Sequence, residues 1–475
     1  MKFNFSTKTK PFKHQVEAVE FIKGKKEVAL FDEQGLGKSK IIIDALCKDL
    51  KNKIIDSVLV VCKKTLLKMW ENEILKHSSL WPNIVGGTKR QRGRSFMRFA
   101  HFHIINYDSF TQELERIKTF LKLYKFAIVL DESQVIKNPF SQITQSILEI
   151  KDLAIKKIII TGTPIANRPE DIWSQFYFLD GGELLGEDFK SFKKKFHVIL
   201  KGETSLGKYE EDLALLRDKI NKIAIRRTKD VLDLPEKKYR NVYVILSDKQ
   251  KRTYEKLKRD LYLEIKRVDE QTIIEKINNY LVKLLRLTQI ASNPNLINDE
   301  YTETPIKFLK LDELLKEMLA KKEKVIIWTS FRKNIRTLQK RYKNYGALVL
   351  FGDIPIIDRN DVVEKFMQKE ENKVLIANPA AAKEGLTLTS ANNAIYLDRS
   401  FKMDDYLQSQ DRIHRIGQGK KCNIIKIIAK DTIDEYTEDI LEKKHLLAQF
   451  ALGDTKFINT KKNFLTKGDI LKILG

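Results

Sequence analysis

The sequence predicts an α/β protein built from two tandem parallel-sheet lobes with helical insertions. Short β-branched runs recur between longer amphipathic stretches in each half of the 475-residue chain, which is typical of parallel sheets with crossover helices. A long region rich in Lys, Glu and Leu, from about residue 171 to 296, separates the two sets of runs. With 42% hydrophobic residues, the chain can bury at least two cores.

The predicted strands fall into two groups. The first half has them at residues 27–32, 58–62, 103–106, 127–131 and 157–161. The second half has them at 325–329, 347–350, 374–377, 394–398 and 423–429. One strand-like piece, at 239–246, interrupts the helical middle of the chain. Two sheets separated by helical material indicate two α/β domains.

The formal net charge of +24 favours a polyanionic partner, because a field of that size attracts phosphate backbones at long range. A chain rich in Lys, Ile and Asn is also what an AT-rich genome would encode, so the charge alone decides nothing. The motifs have to identify the partner.

The chain carries no sign of export or of membrane insertion. Its first residues contain no apolar core segment, and no apolar run approaches the ~18–20 residues that cross a bilayer. The three cysteines match no disulfide or metal-ligand spacing. We therefore expect no membrane partner and a cytoplasmic protein, either nucleoid-associated or encoded by a virus or phage, or a nuclear protein if the source is eukaryotic.

The strongest single motif is DEQGLGKS, which begins at Asp32 between a predicted strand and an apolar helix. A phosphate-binding loop requires this strand–loop–helix setting. Gly35 and Gly37 let backbone amides approach phosphate oxygens at a helix N-terminus. Lys38 can reach the β- and γ-phosphates, and the Ser39 hydroxyl can ligate magnesium. Asp32 stands where the general pattern has its first glycine, and an accidental turn is the alternative.

Two adjacent carboxylates, Asp131 and Glu132, end the apolar strand of FAIVLDESQ. Ligands bind at the carboxyl ends of strands in open parallel sheets. Asp131 would hold magnesium, and Glu132 would orient and deprotonate the attacking water. By itself such a pair is most often a solvated loop. With a phosphate loop upstream, it predicts a Walker B site.

Two later motifs are a TGTP segment, which follows a strand, and a pair of arginines near the end of the second half. Thr161, Gly162 and Thr163 follow a strand in KIIITGTP, in the order expected of an element that links the ATP site to nucleic acid. Arg412 and Arg415 lie three residues apart, so on a helix they share a face and can converge on one anion. Such a pair can stabilise a transferring γ-phosphate as an arginine finger does. A basic surface helix is the alternative.

In this order the motifs resemble the helicase-motif set of superfamily-two ATPases, and in detail the Swi/Snf-like branch of DNA translocases. The resemblance covers nearly the whole chain, from about residue 11 to 442. It rests on the blocks PFKHQ, DEQGLGKS, VLVVCKKTLLKMWENEI, IINYDSF, DESQ, TGTP, VIIWTSF, AAKEGLTLT and QSQDRIHRIGQ. It implies that both lobes are RecA-like.

The resemblance implies a role for each matching residue. Gln15 would recognise adenine, Gly385 would place backbone near the nucleotide, and Gln408 would help to join the lobes. The remaining ATP-binding residues would be Gly35, Leu36, Gly37, Lys38 and Ser39. Contacts to the DNA backbone would come from Lys63, Lys64, Thr65, Asn106, Ser330, Phe331, Arg332 and Thr387. Coupling would involve Thr161, Gly162, Thr163 and Gln408.

The resemblance also implies the domain boundaries. Lobe 1 would span 1–228 with a helical protrusion at about 171–224, the hinge 229–238, and lobe 2 239–475 with a protrusion at about 250–296 and C-terminal helices. Basic clusters at 89–94 and 190–195 would be DNA-facing patches or solvated helix faces. The chain departs from the family at Gln134, where His is common, at 378–382, and at Thr387, where Asn is frequent. None of these departures removes a catalytic group.

The sequence therefore predicts a motor that hydrolyses ATP with Mg²⁺ and moves along double-stranded DNA without necessarily unwinding it. We expect a monomeric motor whose protein partners supply specificity. A strand-separating helicase is one alternative, since strand separation depends on a wedge element with no short signature. A non-catalytic DNA-binding scaffold is another, although the intact Lys38, Asp131, Glu132, Arg412 and Arg415 argue against it.

Overall fold

The computed structural model describes the chain as two compact units. The described residues are 6–165, 168–196, 204–267, 277–383 and 386–455. One unit comprises Met1–Asp233 with Leu446–Ile458, and the other Leu234–His445 with Asn459–Gly475. The described part of each unit contains one parallel β-sheet flanked by helices. The predicted fold class, α/β with two tandem RecA-like parallel-sheet lobes and helical insertions, is confirmed.

The sheet of the first unit has seven strands in the order β3-β4-β2-β5-β6-β1-β7, and every neighbouring pair is parallel. Its strands are β1 (Glu27–Leu30), β2 (Ser57–Cys62), β3 (Pro82–Ile84), β4 (Phe102–Asn106), β5 (Phe126–Asp131), β6 (Lys156–Ile160) and β7 (Ala224–Ile225). Every residue of β2, β4, β5 and β6 is buried, as expected when helices cover both faces. The sequence does not predict β3 or β7, because two or three residues carry too little periodicity.

Helices connect these strands as crossovers. They are α1 (Lys13–Ile22), α2 (Lys38–Lys51), α3 (Leu67–His77), α4 (Lys89–Phe96), α5 (Tyr107–Gln112), α6 (Leu114–Leu123), α7 (Gln142–Leu148), α8 (Trp173–Asp180), α9 (Phe189–Phe196) and α10 (Thr204–Asn221). Short 3₁₀ turns lie at Lys64–Leu66, Ser133–Ile136, Pro169–Ile172 and Lys229–Val231. The parallel arrangement brings the carboxyl ends of β1, β5 and β6 to one edge of the sheet, where the predicted ATP-binding motifs lie.

The sheet of the second unit has six strands in the order β10-β11-β9-β12-β13-β8, again with parallel neighbours. They are β8 (Lys237–Val244), β9 (Lys324–Trp328), β10 (Leu348–Leu350), β11 (Val374–Ala377), β12 (Ala391–Tyr396) and β13 (Cys422–Ala429). The strand-like piece predicted at 239–246 is β8, which pairs with β13 along its whole length. It is therefore an edge strand of this sheet and not an isolated interruption of helices.

The helices of the second unit include a long pair that follows β8. The helices are α11 (Asp248–Lys266), α12 (Ile277–Ser292), α13 (Ile306–Ala320), α14 (Arg332–Arg341), α15 (Ile356–Gln368), α16 (Met403–Gln410) and α17 (Ile433–Leu452). Short 3₁₀ turns lie at Pro294–Leu296, Lys343–Tyr345 and Pro379–Lys383. Parts of the two predicted protrusions, 197–203 and 268–276, lie outside the described residues.

The division into units differs from the predicted boundaries in one segment. The prediction places 239–475 in one lobe, whereas Leu446–Ile458 groups with the first unit. An ion pair joins this segment to the first sheet: the guanidinium of Arg226, which follows β7, donates to the carboxylate of Asp454 at 2.8 Å. The residues that follow α17 are thus tied to the sheet that holds the phosphate loop.

The structure can be compared with the sequence expectations for the cysteines and for membrane-spanning segments. Cys47, Cys62 and Cys422 are free and buried, and burial raises the thiol pKa of Cys47 and of Cys62. Among the helices that the structure describes, none is long and apolar enough to cross a bilayer.

Candidate active site

The loop between β1 and α2 has the backbone shape of a phosphate cradle. Gly35 (φ 92°) and Gly37 (φ 79°) both adopt the left-handed conformation that favours glycine. A Cβ atom at Gly37 would collide with the side-chain amide of Gln15. The glycines of the motif are therefore required by the local geometry, and α2 begins directly after the loop at Lys38.

Lys38 lies over this loop, close to the coupling motif. Its Nζ donates to the carbonyl oxygens of Asp32 (2.8 Å) and Glu33 (3.1 Å). A Cβ atom at Gly162 would lie 2.9 Å from Cγ of Gln34 and 3.5 Å from Nζ of Lys38. The absence of a side chain at Gly162 thus lets the TGTP segment approach the phosphate loop, which brings two of the predicted motifs together.

Gln15 contacts the phosphate loop from α1. Its side-chain oxygen accepts a hydrogen bond from the amide of Phe12 (3.0 Å), and its Nε2 donates to the carbonyl of Leu36 (3.2 Å). A ring nitrogen of His14 lies 3.0 Å from the same carbonyl. The buried amide of Gln15 therefore supports the loop, and its predicted role with adenine stays a prediction.

Asp131 is buried at the end of β5 and is held by two aromatic side chains. The indole of Trp70 donates to Oδ2 (2.8 Å), and the hydroxyl of Tyr107 donates to the backbone carbonyl (2.9 Å). Burial, together with the neighbouring Glu132 carboxylate, raises the pKa of the Asp131 carboxyl to about 6. The Trp70 hydrogen bond and the charge of Lys38 oppose that shift. The sequence interpretation assigned no role to Trp70 or Tyr107, although both lie within quoted motif blocks, because aromatic side chains in such blocks indicate packing more readily than hydrogen bonding.

Glu132 follows in the left-handed region, with φ 53°. Its backbone N–H donates to Oδ1 of Asp131 (2.9 Å). Its Oε2 accepts a hydrogen bond from Nε2 of Gln134 and lies 4.0 Å from Nζ of Lys63. Gln134, which stands where the family commonly has His, is therefore in direct contact with the predicted catalytic glutamate.

Hydrogen bonds connect the carboxylate turn to the TGTP segment. The hydroxyl of Ser133 donates to Oε1 of Gln175 (2.7 Å), and Nε2 of Gln175 donates to the carbonyl of Pro164 (2.9 Å). The amide of Thr163 donates to Oγ1 of Thr161 within the segment (3.0 Å). Gln175, on α8, is the bridge, and no motif in the sequence singled it out.

Two arginines that follow β7 hold the first residues of the phosphate loop. The guanidinium of Arg227 forms an ion pair with Asp32, whose side chain is fully buried. Arg226 donates to the carbonyl of Phe31 at 2.8 Å and pairs with Asp454. The acidic residue at the usual glycine position thus has a structural reason. The contact could have been predicted from the sequence, because an acidic residue in the loop, Asp32, needs a basic partner and AIRRT supplies two adjacent arginines.

The donor set at this edge fits magnesium bound together with ATP. Mg²⁺ commonly takes one or two carboxylates plus substrate phosphates and waters, and a dedicated protein cage is not needed. Asp131 and the Ser39 hydroxyl are donors of that kind, and Ser39 lies in the first turn of α2. Within the described ranges, no group of three or more His, Cys, Asp or Glu side chains forms a metal cluster.

In the second unit, Arg412 and Arg415 meet at one backbone carbonyl. A terminal guanidinium nitrogen of each donates to the carbonyl of Leu386, at 3.4 Å for Arg412 and 3.2 Å for Arg415. Nε of Arg412 also donates to the carbonyl of Gln408 (3.0 Å). The expectation that the pair lies on a helix is wrong, because α16 ends at Gln410 and turns follow it.

The turns that carry the arginines are fixed by Gln418. Its Nε2 lies within hydrogen-bond distance of the carbonyls of Thr389 (3.2 Å), Ala391 (2.9 Å) and Ile413 (3.1 Å).

Gln408, the predicted coupling residue of this unit, has an almost fully buried side-chain amide, and neither its nitrogen nor its oxygen has a hydrogen-bond partner among the described residues. Its predicted role in joining the lobes stays a prediction. Gly385 lies outside the described residues.

Several predicted DNA-contacting residues lie where strands of the second sheet end. The backbone N–H of Ser330 donates to Asp398 (2.6 Å), and its carbonyl accepts from the side chain of Asn378 (3.0 Å). Asp398, buried after β12, also accepts from the hydroxyl of Thr329 (2.7 Å). Asp398 is thus a positioning residue that motif matching did not find.

The other DNA candidates of this unit differ in exposure: Arg332 is exposed and pairs with Asp353 at 2.8 Å. Phe331 and Thr387 are partly buried.

The DNA candidates of the first unit differ in exposure. Lys64 is exposed and Thr65 partly buried, whereas Asn106 is buried and caps α5 by accepting from the amide of Ser109 (3.0 Å). In the basic cluster 89–94, Arg92 is buried against Glu113, with 3.0 Å between Nε and Oε1. A surface role is therefore limited to the exposed members of that cluster.

Comparison with known proteins identifies two family models along the chain. Residues 14–296 match the SNF2-related domain, and residues 307–417 match the helicase conserved C-terminal domain. A Mycoplasma genitalium protein named as an uncharacterized ATP-dependent helicase is 30% identical over 97% of this chain and 44% of its own length. A putative ATP-dependent helicase/translocase of Bacillus subtilis, YwqA, is 29% identical over 88% of this chain and 46% of its own. The chain thus spans less than half the length of these curated relatives.

Among solved structures, the Sulfolobus solfataricus SWI2/SNF2 ATPase core in complex with double-stranded DNA matches with 26% identity. The match covers 97% of this chain and 98% of that one, with a TM-score of 0.45.

Proposed function

The chain belongs to the family of proteins with an SNF2-related domain, and we propose that it is a DNA-dependent ATPase that moves along double-stranded DNA. The observation that carries the proposal is the meeting of three predicted motifs at one edge of the first sheet. There Lys38 lies over the glycine loop, Gly162 packs against the same loop, and Asp131 ends β5 beside Glu132. This is the arrangement that phosphoryl transfer to water needs, since catalysis there is positioning and charge stabilisation.

The residues of the chain divide the work of hydrolysis between them. Lys38 would bind the β- and γ-phosphates, and Glu132 would take the proton of the attacking water. Asp131 and Ser39 would hold magnesium, which supplies charge neutralisation to the phosphates when it is bound. Arg412 and Arg415 would stabilise the charge that develops on the transferring phosphoryl group. These roles follow from the motif resemblance and are supported by the contacts described above.

Duplex DNA is the proposed partner because the motifs resemble those of DNA translocases and the chain carries a net charge of +24. Lys64 and Arg332 are exposed and so can reach a phosphate. Contacts of this kind bind the backbone and carry little sequence information. Binding should therefore weaken steeply with salt and depend little on sequence. We propose that protein partners supply specificity and that the motor acts as a monomer.

The test is ATP turnover with duplex DNA, single-stranded DNA, RNA or no nucleic acid, with Lys38→Ala as the inactive control. We expect duplex DNA to stimulate turnover most, and Lys38→Ala to remain inactive in every arm. Stimulation by RNA alone, or a strong preference for one duplex sequence, would contradict the assignment to duplex DNA.

A strand-separating helicase is the second candidate, and the word helicase in the names of the bacterial relatives motivates it. It is separated from a translocase by two assays on the same preparation. Displacement of a third strand from a triplex reports movement along duplex DNA, whereas displacement of one strand of a duplex reports unwinding. We expect activity in the first assay, and activity only in the second would favour the helicase.

A further inference from the structure

The catalytic glutamate of the proposed reaction lies in an unusual backbone conformation. Glu132 has φ 53°, a region that residues other than glycine, asparagine and aspartate rarely adopt. Such conformations persist where the surrounding structure imposes them, and they cluster at functional sites. The hydrogen bond from its N–H to Oδ1 of Asp131 (2.9 Å) is part of this turn.

A hydrogen-bond donor and a positive charge converge on one oxygen of the Glu132 side chain. Nε2 of Gln134 donates to Oε2, and the ammonium of Lys63 lies 4.0 Å from the same atom. Gln134 is buried, and its own side-chain oxygen has no hydrogen-bond partner among the described residues. Burying an amide whose oxygen accepts no hydrogen bond costs free energy of folding. We infer that the Gln134 side chain is held at this position by its hydrogen bond to Glu132.

The register of the sheet places Lys63 beside Glu132. Strands β2 and β5 are parallel neighbours in which Val61 pairs with Leu130. Lys63 and Glu132 each lie two residues beyond that pair, so both leave the sheet at the same edge. The proximity of the two charges is therefore fixed by the fold and does not depend on a mobile loop.

We propose that Lys63 and Gln134 are positioning residues that restrain Glu132, and that a DNA phosphate releases the restraint by binding Lys63. The inference rests on the proposed function, because it takes Lys63 as a contact to the DNA backbone. A single ammonium then serves two anions, the Glu132 carboxylate without DNA and a phosphate with DNA. When Lys63 turns to the phosphate, Oε2 loses its ion-pair partner and keeps only the hydrogen bond from Gln134, so the carboxylate can reorient toward water. DNA binding and water activation are thereby linked within the first unit.

The test is the steady-state turnover of the full chain in the absence of DNA. Lys63→Met keeps the length of the side chain and removes its charge. We expect kcat to rise about two- to fivefold with KM for ATP unchanged, the range expected for one partly exposed ion pair. Lys63→Arg should restore the low basal rate. Lys68→Met is the matched control, since Lys68 is an exposed lysine of α3 paired with Glu71, and its basal rate should equal that of the wild type.

Gln134→Leu provides an independent variant, because Gln134 has no proposed contact with DNA. It should also raise basal kcat while duplex affinity stays at the wild-type value. A basal kcat at or below the wild-type value in both Lys63→Met and Gln134→Leu would overturn the restraint. A wild-type enzyme that DNA does not stimulate would instead overturn the proposed function, and the DNA-free comparison would still decide whether Glu132 is restrained.

Discussion

The two sets of charged residues to which we assign roles in hydrolysis are fixed in different ways. In the first unit, Asp131 is buried and receives a hydrogen bond from Trp70, and its protonated form is favoured by burial. In the second unit, Arg412 and Arg415 are anchored on the carbonyl of Leu386, an acceptor with no net charge. The first edge thus collects carboxylates beside a phosphate loop, and the second collects two guanidiniums at one backbone carbonyl.

The comparison suggests that neither edge supplies all the groups that phosphoryl transfer needs. In the proposed reaction, the first would provide the general base, the magnesium ligands and a lysine, whereas the second would provide the guanidiniums. If the proposal is right, variants of the two edges should impair the same chemical step. Their effects on substrate binding and on stability should differ, because the supporting contacts differ.

The largest expected effect is that of Arg415→Ala. A finger arginine acts mainly in the transition state and is worth ~10³–10⁵ in rate. DNA-stimulated kcat should fall by about that factor, while duplex binding and the Kd for ATP stay near the wild-type values. Single-turnover hydrolysis measures the rate of the chemical step, and a fluorescent-nucleotide titration measures the Kd for ATP. Arg415→Lys should recover little, because lysine lacks the planar fork of arginine. A variant that lost ATP binding as severely as turnover would contradict a transition-state role.

The matching change in the first unit, Glu132→Gln, should have a somewhat smaller effect. Loss of a general base typically costs ~10²–10⁴ in rate, and the amide keeps the size and most contacts of the side chain. ATP should still bind, and the bound nucleotide should turn over slowly. Nucleotide retained on the protein after rapid separation, resolved into ATP and ADP, measures this. Hydrolysis at the wild-type rate would show that another group activates the water.

Trp70→Phe should weaken magnesium binding without a change of mechanism. The variant removes the donor that holds Oδ2 of Asp131, and partners of metal ligands typically contribute ~10–100-fold in affinity or activity. The magnesium concentration for half-maximal turnover should rise by about that factor. Tyr107→Phe is the matched control, since Tyr107 donates to the backbone carbonyl of Asp131 and not to its carboxylate. An equal effect of both variants would point to general loosening of the site.

The smallest effect concerns stability and pH. The pKa of Asp131, about 6, lies above its ordinary value of 3.8, so its contribution to stability is present at low pH and is lost as pH rises through 6. Without magnesium and nucleotide, Asp131→Asn should therefore gain stability relative to the wild type between pH 5 and pH 8. A shift of one pKa unit corresponds to about 1.4 kcal/mol. Denaturant titrations at both pH values measure the difference, and Asp152→Asn, at an exposed position, should show none. A constant difference for Asp131→Asn would contradict the raised pKa.

Much of the fold was predictable because parallel strands are short apolar runs bounded by turns. The strands at 127–131 and 374–377 were predicted with the observed or nearly the observed bounds. The two-residue strand β7 and the grouping of Leu446–Ile458 with the first unit were not. Both depend on pairings between residues far apart in sequence, such as that of Arg226 with Asp454, which no local pattern encodes.

The site shows the same limit at the level of side chains. Lys38, Asp131 and Glu132 were found because their chemistry requires fixed residue types at fixed spacing. Trp70, which donates to Asp131, and Gln175, which accepts from the neighbouring Ser133, lie on α3 and α8, where no catalytic spacing marks their positions. Their partners are set by how those helices pack on the sheet, and a linear motif carries no trace of that packing. For Arg412 and Arg415 the spacing was informative although the predicted helix was wrong.

The most direct test of the central claim is a double-variant cycle between Glu132→Gln and Arg415→Ala in the full chain. Single-turnover hydrolysis with saturating duplex DNA and excess enzyme gives the rate of each variant and of the pair. If both residues act on one transition state, each single variant should slow hydrolysis by at least ~10²-fold, and the double variant should be at least as slow as the slower single variant. If Arg415→Ala hydrolyses ATP at the wild-type rate, and adding it to Glu132→Gln changes nothing, the claim that the two units serve one hydrolysis reaction is wrong.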